Sequence, residues 1–338
     1  MLPITGAVSY MLSLALQVSV VDLSEPEATV AARVREACLS SGFFYVVNHG
    51  ISEALVTEVF EQNHAFFALP AEQKRYILAD CNNRGYTPMA EETLDPANQR
   101  EGDTKEGLYF GREVAPGSPE AHLPLHGPNQ WPPEDLLPRY REVTEAYLAA
   151  LLALSFRLLR ALAIALDLAP EHFRPYFDPP SPFLRPLRYA ARASAPEQGV
   201  FGAGAHSDYG MLTLLRTDDA PGLQVRPEPG GSWHPVAPRP GAFIVNLGDM
   251  LERWTNGLFR STLHRVCTAG DRDRYSIAFF FDPAFSARVE CLPTCCSDTR
   301  PAKFPPTTSG EYLLGRYAAT HSGYDAGAKG GGGLPGGQ

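Results

Sequence analysis

Three stretches hold residues whose types and spacing could do chemistry: His206-Ser207-Asp208, His264, and Arg274-Tyr275-Ser276. In an extended segment alternate side chains share a face, so His206 and Asp208 project together. Two imidazoles and one carboxylate on one face of a metal leave the opposite positions open, which is the donor set of a non-haem ferrous site. A lone His-x-Asp is commonly a turn or an exposed strand end. A third donor, His264, on a separate predicted strand makes the pair a candidate metal set. Ten residues further on, Arg274 and Ser276 share a face of their own. A fork-shaped cation beside a hydroxyl suits a carboxylate held at the bottom of a pocket. The bland alternative is an arginine paired with a fixed Asp or Glu.

These groups must be positioned by a chain of 338 residues, long enough to bury a large core in one or two domains. With 44% hydrophobic and 20% charged residues, it has the composition of an ordinary soluble globular protein. A net charge of -9 argues against nucleic-acid or anionic-membrane partners and for a small molecule. Six cysteines without paired metal spacing read as reduced thiols, which points to a cytoplasmic protein. Residues 7–21 are uncharged and rather apolar, yet no Lys or Arg precedes them. They read as an extension running into a strand, with an organelle-targeting segment as the alternative. The apolar run from Ala146 to Phe156 is too short to span a bilayer, so no transmembrane segment is expected.

Val18 to Leu23 is a short β-rich run, and Ser24-Glu25-Pro26-Glu27 reads as a capping box opening a helix that Gly42 stops. Phe43 to Asn48 is a second strand, followed by a helix whose apolar positions run from Leu55 to Phe67 until Pro70. Residues 80–135 are loop-rich, with a strand at Gly107 to Phe110. Leu136 to Leu168 carries apolar residues in steps of three and four, the stripe of a long scaffold helix packed on a sheet. From Phe183 the texture changes to short β-rich runs separated by Gly, Pro and Asp, as in a sandwich or jelly roll. A helical stretch near Glu311 to Ala319 precedes a Gly-rich tail, residues 323–338, expected to be disordered. The expected layout is one domain over residues 1–322, helical over 18–180 and jelly-roll over 181–322.

Gly202-Ala203-Gly204-Ala205-His206-Ser207-Asp208-Tyr209-Gly210 closely resembles the segment bearing the first two iron ligands in the isopenicillin N synthase-like family of 2-oxoglutarate/Fe(II)-dependent dioxygenases. The likeness continues through Gly222-Leu223-Gln224-Val225, Pro240 to Asp249, Trp254-Thr255-Asn256-Gly257, Ser261 to Val266 and Arg274-Tyr275-Ser276. Val21-Asp22-Leu23, Gly42 to Gly50 and Phe67-Ala68-Leu69-Pro70 extend it to the N-terminal part, so it covers roughly residues 18–320. The resemblance implies a mixed α and β fold: a double-stranded β-helix (jelly roll) barrel with flanking N-terminal and central helices. It also implies iron-ligand roles for His206, Asp208 and His264, and 2-oxoglutarate binding by Arg274 and Ser276. Tyr189 stands where relatives carry a tyrosine that contacts 2-oxoglutarate. The Asn that often lies two residues before it is Leu187 here, which implies that the proximal carboxylate leans more on iron.

The function so implied is Fe(II)-dependent oxidative decarboxylation of 2-oxoglutarate coupled through O2 to hydroxylation or desaturation of a small molecule, by a monomer. Strand parity places Ala278 and Phe280 beside Arg274 and Ser276 on the pocket wall, with Phe279 and Phe281 in the core. Asn83, Arg84, Lys105 and Tyr109 fall where relatives build substrate lids, and Arg84 or Lys105 could meet a substrate carboxylate or be a solvated surface charge. Three rival functions share the fold. One is an oxidase of the isopenicillin N synthase or aminocyclopropane-carboxylate oxidase kind, which uses no 2-oxoglutarate; another is ethylene formation from 2-oxoglutarate. The third is a jelly-roll binding protein without catalysis, and a hydroxylase acting on a protein partner is a further variant.

Overall fold

A computed structural model describes residues 16–320; the Gly-rich tail and most of the N-terminal extension lie outside the described residues. The chain runs β1 (Ser19–Asp22), α1 (Glu27–Ser40), β2 (Phe43–Val47), α2 (Glu53–Phe67) and a short α3 (Ala71–Lys74). There follow β3 (Gly85–Thr87), β4 (Lys105–Gly111), the long α4 (Tyr140–Ala165), β5 (Ser181–Tyr189), β6 (Ala203–His206), β7 (Leu212–Thr217) and β8 (Leu223–Arg226). Then come β9 (His234–Pro235), β10 (Phe243–Leu247), α5 (Asp249–Trp254), β11 (Leu263–Val266), β12 (Arg274–Asp282), β13 (Arg288–Val289), β14 (Thr307–Thr308) and α6 (Ser309–Thr320).

An eight-stranded sheet in the order β1-β2-β10-β7-β12-β5-β4-β3 faces a four-stranded sheet in the order β6-β11-β8-β9. This is the jelly-roll barrel, with crossing connections that place sequence-distant strands side by side. The change of texture at residue 180 does not divide the main sheet, because β1, β2, β3 and β4 all extend it. On its outer face Leu184, Leu214, Phe279 and Phe281 share one apolar core with Leu151, Leu154, Leu158 and Leu162 of α4. That stripe at helical spacing explains why α4 packs against the sheet and against α1 and α2. Among the described residues α4 is the helix long and apolar enough to cross a membrane, and half of its most apolar window is buried inside the protein. The run of apolar residues expected to be too short is thus part of a longer helix, whose buried side is covered by protein.

Two local expectations are corrected. Ser24 does not cap α1: its N–H and hydroxyl both donate to Asp22 Oδ1, at 2.8 and 2.7 Å, and Pro26 occupies the cap position without a side-chain bond. The Asp22 carboxylate competes successfully for the serine, as short polar side chains near turns do. The capping serine in this region is Ser52, whose Oγ accepts from the Ala54 N–H at 3.2 Å to start α2. The strand expected at residues 107–110 runs from Lys105 to Gly111, with all seven residues buried. Gly42 ends α1 with φ +69°, and a Cβ there would lie 2.8 Å from the Arg260 carbonyl oxygen.

Candidate active site

The first donor, His206, is the last residue of β6, and Asp208 lies in the loop just beyond. His264 of β11 stands directly opposite His206 in the antiparallel ladder. Pairing of two strands 58 positions apart therefore assembles what the His-x-Asp spacing began. His206 Nδ1 lies 2.8 Å from the Gly204 carbonyl and His264 Nδ1 lies 3.0 Å from the Thr262 carbonyl. A carbonyl can only accept, so both Nδ1 atoms carry the proton and both Nε2 lone pairs are free. Asp208 Oδ1 lies 3.5 Å from His264 Nε2 and 3.9 Å from His206 Nε2. Its other oxygen, Oδ2, accepts from Thr213 Oγ1 at 2.6 Å and from Asn246 Nδ2 at 2.7 Å. The three donor atoms all fall within 4.8 Å of one another.

The electrostatics agree with a metal site. Burial, helped by the neighbouring His264, holds the His206 imidazole down at about 4, so it is neutral at physiological pH. Burial opposes ionisation of Asp208, but the two imidazoles and the Thr213 hydroxyl outweigh it and hold the carboxyl well below its ordinary range. Burial would also lower His264, yet the Asp208 carboxylate overrides it and the net displacement is upward. One carboxylate oxygen and two Nε2 lone pairs facing a common point fit a ferrous ion with half of its coordination sphere left open.

Arg274 opens β12 and is buried, with its guanidinium 4.9 Å over the ring of its cross-strand neighbour Tyr189. Its Nε and Nη1 have no hydrogen-bond partner among the described residues. The bland alternative, a fixed carboxylate partner, is therefore absent within ion-pair distance among the described residues. A buried guanidinium left in this state is costly, and a bidentate organic acid would complete it. Ser276, also buried, follows on the same face. These residues fit the distal carboxylate of 2-oxoglutarate.

A cavity of about 1040 Å³, its open mouth included, contains His206, Asp208, His264, Arg274, Ser276 and Tyr189 on its walls. Lys105, Tyr109, Ala278 and Phe280 line it as well. Phe279 and Phe281 turn to the core, as parity requires. Asn83 and Arg84 do not reach the cavity. They precede β3, the outermost strand of the main sheet, and Arg84 is buried locally instead. Its Nη1 donates to the Asn82 and Asn83 carbonyls at 2.9 and 3.3 Å, and its Nη2 donates to the Leu125 carbonyl at 2.9 Å. Burial pulls its guanidinium down to about 10. Lys105 is no free cation either, since it pairs with Asp103 and, at 3.0 Å, with Glu92. Residues the motifs did not point to also belong here: Thr213, Asn246, Arg185 and Glu92. Arg185 is four residues before Tyr189 on one strand, so parity alone could have found it; the partners of Asp208 carry no such signal.

Residues 185–283 match the family described as 2OG-Fe(II) oxygenase superfamily, and residues 18–134 match non-haem dioxygenase in morphine synthesis N-terminal. Over 304 residues the chain is 39% identical to azadirone synthase of Melia azedarach, covering 88% of this chain and 91% of that one. This chain belongs to the 2-oxoglutarate/Fe(II)-dependent dioxygenases. It is 36% identical to a 2-oxoglutarate-Fe(II) type oxidoreductase of Emericella nidulans over 304 residues, 87% of this chain and 86% of that one. A full-length Neurospora crassa protein crystallised in complex with alpha-KG superposes with a TM-score of 0.80 at 30% identity, covering 91% of this chain and 97% of that one. As a 2-oxoglutarate/Fe(II)-dependent dioxygenase the protein is an oxidoreductase that uses ferrous iron, 2-oxoglutarate and O2. The readings without 2-oxoglutarate and without catalysis gain no support from these relatives.

Proposed function

We propose that His206, Asp208 and His264 hold the ferrous ion, that Arg274, Ser276 and Tyr189 hold 2-oxoglutarate, and that the dioxygenase oxidises a C–H bond of a small molecule seated in the same cavity. The observation that carries this reading is the buried Arg274 guanidinium, two of whose nitrogens lack partners among the described residues, on the wall of the cavity that also holds the triad. When bound, iron and 2-oxoglutarate supply the oxidising power, with the co-substrate giving succinate and CO2 as oxygen reaches the substrate.

The protein's own part is positional. Asp208 offers one oxygen because Thr213 and Asn246 keep the other occupied, and this holds the carboxylate to one-point ligation. The Gly204 and Thr262 carbonyls fix the tautomer of each imidazole. Arg274 and Ser276 orient the co-substrate from its far end, while Phe280 and Phe183 supply apolar wall to the cavity. Thymine bound beside alpha-KG in the Neurospora crassa relative supports a small-molecule substrate for this fold. No protein nucleophile or general base is required.

Anaerobic titration tests the assignment. Arg274→Met is expected to weaken 2-oxoglutarate about 10- to 100-fold, the worth of a buried charge-assisted pair, with Fe(II) affinity little changed. Unaltered 2-oxoglutarate affinity in that variant would remove the basis of the reading. A metabolite screen read by substrate-stimulated succinate then names the substrate class.

A further inference from the structure

A second arginine shares the cavity. Phe183, Arg185, Leu187 and Tyr189 line it from β5, opposite Phe280, Ala278, Ser276 and Arg274 of β12 in register. Four residues of strand, about 13 Å, therefore separate Arg185 from the co-substrate end marked by Tyr189. Arg185 sits instead near the metal. Its register partner Ala278 is paired on its other side with Leu215 of β7, and the next same-face pair is Phe280 with Thr213, the residue that holds Asp208. The two β-strands lie about 10 Å apart across β12, and the methyl of Ala278 leaves the space between them unfilled.

The hydrogen bonding of Arg185 is incomplete. Nη1 donates to Tyr109 Oη and pairs with Glu92 Oε1 at 2.7 Å, and the guanidinium stacks 3.9 Å over the Tyr109 ring. Its Nε has no partner among the described residues, although the side chain is more than nine-tenths buried. The charges around it are already balanced: Arg185 and Lys105 face Glu92 and Asp103. A carboxylate arriving here would bring an uncompensated charge into a buried site. A carbonyl or amide oxygen would satisfy the open donor and leave the balance intact.

We propose that Arg185 anchors the prime substrate and that the Arg185–Glu92–Lys105–Asp103 cluster selects an uncharged molecule bearing a carbonyl or amide oxygen over a carboxylic acid. This rests on the placement of iron and 2-oxoglutarate proposed above. Bound through that oxygen, the substrate spans from Arg185 toward the triad across Ala278, and the C–H presented to the metal is set a fixed distance from its carbonyl.

The test is calorimetric titration of the enzyme loaded anaerobically with Fe(II) and 2-oxoglutarate, using the pairs benzamide/benzoate and 2-naphthamide/2-naphthoate. The wild type is expected to bind the amides at least about 10-fold more tightly than the carboxylates. Arg185→Gln should abolish that preference, and Glu92→Gln, which leaves the cations in excess, should move it toward the carboxylates. A wild-type enzyme that binds no amide, or binds the carboxylates as well, overturns the proposal, as does an amide preference that survives Arg185→Gln. Should Arg185→Gln not fold, Glu92→Gln decides alone: an unchanged preference there counts against the cluster. Weak 2-oxoglutarate binding by the wild type would instead mark failure of the co-substrate assignment, which the same titration reads separately.

Discussion

Asp208 owes its geometry to residues that never touch the metal site's centre. Removing the Asn246 donor leaves Oδ2 with Thr213 alone and frees the carboxylate to rotate. Asn246→Ala is expected to lower Fe(II) affinity about 10- to 100-fold with the fold retained, as measured by anaerobic metal titration. Asp282, on the cavity wall, shows the opposite electrostatics. Burial pushes its carboxyl from 3.8 up to about 7, while its Oδ1 accepts from the Met211 N–H at 2.8 Å. A carboxyl raised in the folded state stabilises the protein below its unfolded value and loses that contribution as pH rises through its folded one. Metal-free wild-type protein should therefore lose on the order of 3 kcal/mol relative to Asp282→Asn between about pH 4 and pH 7. Urea unfolding at several pH values checks this, and parallel curves for the two proteins would contradict it. The asparagine keeps the acceptor for Met211, so the comparison isolates the charge. At this scale His206, Asp208, His264, Arg274 and Ser276 were legible from residue type and spacing, and Asn246 was not, because its relation to Asp208 exists only across the sheet.

At the scale of the element, β12 does two jobs on its two faces. Arg274, Ser276, Ala278 and Phe280 line the cavity, whereas Phe279 is fully buried in the core and stacks with Phe281 at a centroid distance of 6.3 Å. Phe279→Ala should cost about 3–5 kcal/mol in denaturant unfolding, the usual toll of a large core truncation. Phe280→Ala should cost less than about 1.5 kcal/mol and act on substrate binding instead. Equal losses in the two variants would mean that strand parity does not separate core from site. The period of two made this division readable in advance, since alternate residues must face opposite ways. The start of α1 departs from its sequence pattern for a local reason: Ser24 donates to the nearby Asp22 carboxylate and does not accept from the helix N–H groups.

For the molecule as a whole, iron and 2-oxoglutarate held as proposed would tie β6, β7, β11 and β12 together, so that their binding would be linked to folding. Fe(II) and 2-oxoglutarate, each at about 100 times its dissociation constant, should together stabilise the protein by about 5.4 kcal/mol, about 2.7 from each, seen as a higher Tm in anaerobic melts. His264→Ala should melt at the same temperature with and without them; a retained shift would mean that the ions bind elsewhere. By itself the sequence determined the class of protein: the donor types, the Arg-x-Ser spacing, the helical and strand periods and the family likeness are properties of neighbours in the chain. Only the tertiary structure decided which distant residues share the cavity. It removed Asn83 and Arg84 from the site, because β3 is the outermost strand, and it placed Arg185 and Glu92 there beside Lys105. The physical reason is that strand order and register in a crossed sheet bring together residues about 100 positions apart, and no local pattern along the chain encodes which strand lies next to which.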